Sequence, residues 1–126
     1  MPEIQPDIEI YIKRPAFEDI CRWLERYFQL NAVNTEGVGK ILDLSFDDKT
    51  LQCLIIDKVT KEGYTSVWFK RNQTPWQDDL ACAEDAHSVL QVESRCSVGG
   101  WDSSNKGKGG WYRLCNGEKS IINWLE

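Results

Sequence analysis

The feature that most constrains this chain is a change of period at Arg14-Pro15. Before it, Ile4, Ile8, Ile10 and Ile12 alternate with Asp7, Glu9, Tyr11 and Lys13, the period of two that buries one face of a strand. After it, Phe17, Ile20, Cys21, Leu24, Tyr27 and Phe28 recur every three or four residues, with Glu18, Arg22, Glu25, Arg26 and Gln29 on the opposite side. Proline cannot extend a strand ladder but suits the first turn of a helix. The opening therefore reads as a strand followed by a helix over residues 15–29, with Trp23 half exposed at the edge of the apolar stripe.

The middle of the chain returns to strand patterning. A loop is expected over residues 31–38. Beyond it Leu42, Leu44 and Phe46 alternate, Asp47-Asp48-Lys49 turns, and Leu51 to Val59 makes a second apolar run. Glu62-Gly63 turns the chain into residues 64–71, whose Thr65, Val67 and Phe69 face one way and Ser66, Trp68 and Lys70 the other. A three-stranded antiparallel meander follows from this.

Thr74-Pro75-Trp76-Gln77 has the spacing of a capping box, so a second helix is expected from Pro75 to about Leu90. Its arc of Trp76, Leu80, Ala83, Ala86, His87 and Leu90 suits close approach to a sheet. Asp78, Glu84, Asp85 and Ser88 are left for solvent or a partner. Residues 91–98 then read as a strand, and Trp111 to Cys115 leads through Asn116-Gly117 into residues 118–125. Asn-Gly between apolar runs is a strong hairpin signal. With those two residues as the turn, Trp111 opposes Ile122, Tyr112 opposes Ile121, and Trp124 falls on the face of Trp111.

These elements predict one α+β domain spanning residues 1–126, in the order β-α-β-β-β-α-β-β-β. The expected sheet is mainly antiparallel, with about five to seven strands and two helices on one face. The order contains the split βαβ arrangement and resembles, in topology, a ferredoxin-like core with extra strands appended. Such folds host many unrelated functions, so the likeness implies no activity.

Composition narrows the classes of function. The formal charge of −5 supplies no basic field to gather phosphates, which argues against nucleic-acid binding. The amino-terminal segment lacks the apolar core of a secretory signal, and no run of about 18 apolar residues suggests a membrane span. Five cysteines, an odd number spread through helices and strands, fit reduced and largely buried thiols, and a cytoplasmic setting.

Chemistry-bearing motifs are few. One histidine and no C-x-x-C or H-x-x-x-H spacing give no zinc signature, and neither Asp47-Asp48 nor Asp78-Asp79 opens a calcium loop. The run Asn105 to Gly110 is glycine-rich and basic but does not have the P-loop spacing or a following helix. Cys82 and His87 lie about 140° apart around one helix at 100° per residue, so they do not form a dyad. Cys96 with His87, or a carboxylate pair drawn from Asp78, Glu93 and Asp102, has no supporting motif. No cofactor, metal or catalytic residue is assigned, and His87 is read as a packed, hydrogen-bonded histidine.

What remains points to recognition. The segment from Arg95 to Tyr112 carries Gly99, Gly100, Gly107, Gly109 and Gly110 together with Trp101 and Trp111. Glycine makes a backbone permissive and tryptophan offers a rigid contact surface. The stretch from Gln77 to Glu93 holds five carboxylates and no lysine or arginine, an acidic helix that could face a basic partner. The expected function is a small interaction module of inhibitor, immunity or adaptor type that binds another protein. Its candidate contact residues are Trp101, Asp102, Lys106, Lys108, Trp111, Trp76, Asp78, Glu84 and Asp85. The alternative is a small enzyme or small-molecule binder with a pocket between the sheet and the 97–110 loop.

Overall fold

A computed structural model describes residues 6–98 and 110–124. Trp101, Asp102, Lys106 and Lys108 lie outside the described residues. The elements are β1 (Ile8–Lys13), α1 (Phe17–Leu24), β2 (Gln29–Glu36), β3 (Gly39–Phe46), β4 (Lys49–Ile56), β5 (Tyr64–Phe69), α2 (Asp79–Leu90), β6 (Ser94–Ser97), β7 (Trp111–Cys115) and β8 (Glu118–Ile122).

All eight strands join one sheet in the order β2-β3-β4-β5-β1-β6-β7-β8, and every neighbouring pair is antiparallel. The first strand of the chain therefore lies inside the sheet. Ile8, Ile10 and Ile12, all fully buried, face the helices. They share one core with Ile20, Trp23 and Leu24 of α1, Cys82, Ala83 and Ala86 of α2, and Leu42, Leu44, Cys53, Ile55, Val67 and Phe69 from the meander. Both helices pack on this one face.

Among the described residues the strands number eight rather than five to seven, because residues 29–36, expected largely as a loop, form β2. That strand is an outer one and most of its residues are exposed, so it does not need the apolar alternation by which inner strands are recognised. The ferredoxin-like order is not reproduced either. The unit β5-α2-β6 does straddle β1 as a split βαβ, but α1 carries the chain from β1 past three intervening strands to β2 at the edge.

Both helices are also shorter than their apolar periods suggest. Helix α1 stops at Leu24, and residues 25–27 turn so that Tyr27 and Phe28 amides bond back to Leu24 O. Their rings complete an aromatic cluster in which Trp76 lies 5.3 Å from Trp23, 5.4 Å from Tyr27, 5.9 Å from Phe28 and 5.8 Å from Phe69. Helix α2 begins four residues later than expected. Thr74 Oγ1 is used in a local turn with Asn72 and the Trp76 amide, while Asp78 Oδ1 accepts from Ala81 N at 2.9 Å and caps the helix. The capping box is therefore not formed.

Trp23, expected half exposed, is fully buried, and its indole N–H donates to Asp85 Oδ2 at 2.9 Å. The carboxy-terminal hairpin follows its expected register: Trp111 opposes Ile122, Tyr112 opposes Ile121, and Asn116 and Gly117 both adopt positive φ, 54° and 79°. This is the twist-compatible two-residue turn that asparagine and glycine favour.

Candidate functional site

Because side chains alternate along a strand, the residues between the core positions of β1 point to the face without helices. Tyr11 stands opposite Ser66 of β5 and Arg95 of β6, Arg95 opposite Arg113 of β7, and Arg113 opposite Ser120 of β8. Two guanidinium groups side by side on neighbouring strands repel unless a counter-charge intervenes. Glu93, just before β6, provides it.

Its Oε2 accepts from Arg95 Nε at 2.8 Å, Arg113 Nε at 3.0 Å and the Tyr64 hydroxyl at 2.7 Å, while Arg113 Nη2 donates to Oε1 at 3.3 Å. Arg95 and Glu93 are buried, whereas the Arg113 side chain is 39% exposed. Burial alone would raise the Glu93 pKa. Hydrogen bonds from Arg113, Tyr64 and Arg95 outweigh it and hold the carboxyl down at about 2. Tyr64 is pushed up by its burial and by donating to that carboxylate.

Aromatic rings enclose the cluster. The Arg95 guanidinium lies 4.8 Å from the Tyr64 ring centre and 4.6 Å from that of Trp124, within cation–π range. Trp124 meets Trp111 at 5.0 Å and Tyr11 at 5.5 Å, and Tyr11 meets Trp111 at 5.6 Å, all three edge to face. Trp111 and Tyr11 are half-buried, so this group is both braced from within and partly open to solvent. The pairing of Trp111 with Trp124 is the expected one. The polar cluster beneath it was missed, although Glu93 and Arg95 share a strand face at a two-residue spacing, as do Trp111 and Arg113. Only the pairing of β6 with β7 brings those two faces together.

The acidic helix has less free charge than its sequence implies. Asp78 caps α2, Asp79 is buried and accepts from Glu9 N at 2.9 Å, Asp85 accepts from Trp23 Nε1 and from the Tyr27 hydroxyl at 2.8 Å, and Glu93 belongs to the arginine cluster. Of the five carboxylates, only Glu84 is exposed, Asp78 and Asp85 being half-buried and Asp79 and Glu93 buried. Trp76, a candidate contact residue, belongs to the core instead, at 7% exposure. Its large apolar ring closes the space between the turn after α1 and β5.

A cleft of about 700 Å³ lies where the end of α2 meets the β7–β8 turn, with His87, Glu84, Cys115, Gly117 and Lys119 in its lining. His87 has both ring nitrogens engaged. Nδ1 lies 2.7 Å from Val92 O and therefore donates, and Nε2 accepts from Gly117 N at 3.0 Å. This is the packed, hydrogen-bonded histidine that its place in the helix pattern suggests. Cys82 and Cys96 are fully buried, and burial pushes both thiols up, away from nucleophilic thiolate. All five cysteines are free thiols, with Cys21 and Cys115 half-buried.

Among the described residues no three His, Cys, Asp or Glu side chains are grouped as a metal ion would require, and no helix is long and apolar enough to cross a membrane. No protein-family model matches the chain, and no curated protein or solved structure is significantly similar to it.

Proposed function

We propose that this is a small protein-interaction module of the inhibitor, immunity or adaptor type, acting in the cytoplasm on another protein. Its contact surface is the helix-free side of β1, β6 and β7. One observation carries the reading: Tyr11, Trp111 and Trp124 are held edge to face, partly open to solvent, over a cluster of buried Glu93 and Arg95 with half-buried Arg113. Rigid aromatic rings and arginine are the residue types that dominate protein contacts, and a preordered platform loses little conformational entropy on binding. Trp101 lies in the sequence between β6 and β7 and is proposed as a further contact. Three buried, free thiols accord with a reducing compartment.

The test is capture from a lysate of the native host on the immobilised full chain, with Trp111→Ala, Trp101→Ala and Glu84→Lys variants beside the wild type. Loss of one captured protein in both tryptophan variants, at a largely retained melting temperature, is the expected result. Identical capture profiles for all four chains would refute the surface. Glu84→Lys separates the acidic helix from the aromatic face, and it is expected to leave capture unchanged.

A further inference from the structure

The two edges of the sheet are built differently. Edge strands expose unpaired backbone N–H and C=O groups at alternate residues, and proteins blunt them with short length, lysine, proline or bulges. Strand β8 is so treated: it has five residues and carries Glu118 and Lys119 side by side. Strand β2 has eight residues, no proline, lysine or arginine, and a single carboxylate, Glu36, at its end. Its one irregularity falls between Leu30 and Ala32, which leaves Ala32 to Glu36 in unbroken register with β3. Val33 on this stretch is 44% exposed, and Val38 in the following turn is 85% exposed.

We infer that the outer edge of β2 pairs with the same edge of a second copy of this chain, antiparallel about a two-fold axis at Asn34. In this register Ala32 to Glu36 meets its own copy with no like charges opposed. Asn34 meets Asn34 of the second copy and the two amides can bond to each other. Val33 meets Thr35 twice, a β-branched pair of the kind that stabilises cross-strand contacts. Ala32 meets Glu36 twice, so the one charged residue faces no like charge. The two sheets then become one of sixteen strands, twice the eight of a single copy, with both edges that lack charged guards covered. This contact lies at the opposite end of the sheet from the Trp111 face and is independent of it.

Sedimentation equilibrium of the full chain, from micromolar to millimolar concentration, tests the pairing. The weight-average mass is expected to rise reversibly toward twice the monomer value. Asn34→Lys places two ammonium groups directly opposite each other across the axis and is expected to hold the mass at that of the monomer. Within one chain the new ammonium lies beside Asp43, which Asn34 already contacts at 3.3 Å, so the fold is retained. A wild type that stays monomeric throughout, or a dimer that Asn34→Lys leaves intact, overturns the inference. If Asn34→Lys does not fold, Asn34→Cys treated with a short bismaleimide decides: a cross-linked dimer well above the wild-type background supports the pairing, and its absence overturns it.

Discussion

At the scale of single residues, Glu93 is the side chain whose loss has the clearest consequence. Its carboxylate separates two arginines on adjacent strands, and removing one member of a buried ionic group leaves the others uncompensated. Glu93→Ala is expected to cost about 3–5 kcal/mol in urea denaturation. The pH dependence has a definite sign. The folded carboxyl is held at about 2, below its ordinary value of 4.5, so the unfolded chain binds more protons over that interval. Its contribution is complete above about pH 4.5 and is lost as pH falls toward 2. Glu93→Gln should flatten the acid limb of the stability curve in that window while changing it little in shape above pH 5. An acid limb identical to that of the wild type would show that the carboxylate is not held low.

At the scale of elements, the start of α2 shows how local signals compete. Thr74-Pro75-Trp76-Gln77 has the residue types of a capping box, yet Trp76 is worth more packed among Trp23, Tyr27, Phe28 and Phe69 than on a first helical turn. Its burial pulls those residues out of helical geometry, and Asp78 becomes the cap. Asp78→Ala is therefore expected to cost about 1 kcal/mol, read as a lowered urea midpoint at constant slope. An unchanged midpoint would mean that the cap sits elsewhere. Two of the three hairpins with two-residue turns were legible in the sequence, because Asp47-Asp48 and Asn116-Gly117 accept the positive φ that such turns demand, whereas the third, at Gly37-Val38, lies in the stretch expected as a loop. Strand β2 was not legible, since only Leu30 and Ala32 of this outer strand are partly buried, too short a stretch to impose apolar alternation on its side chains.

At the scale of the whole molecule, β1 links the two halves. The meander β2-β3-β4-β5 lies on one side of it and β6-β7-β8 on the other. Its pairs are distant in sequence, Ile10 with Val67 and Tyr11 with Arg95, so much of the order in this fold depends on contacts that close long loops. A chain lacking residues 1–13 loses Ile8, Ile10 and Ile12 from the core and leaves β5 and β6 unpaired on facing edges. Such a chain is expected to show no cooperative thermal transition by circular dichroism. A sharp transition would mean that one half folds without the strand between them.

The amino-acid sequence determined the period of each inner strand, the tight turns at Asp47-Asp48 and Asn116-Gly117, the register of the last hairpin and the packed role of His87, because these depend on neighbours within a few residues. Tertiary structure decided the rest. It placed the first strand inside the sheet, drew Trp76 and Trp23 into the core, gave Asp78 and Asp85 internal partners, and joined Glu93 and Arg95 to Arg113 of the neighbouring strand. Those outcomes arise from contacts between residues far apart in the chain, where burial and paired charge outweigh what any short stretch prefers alone.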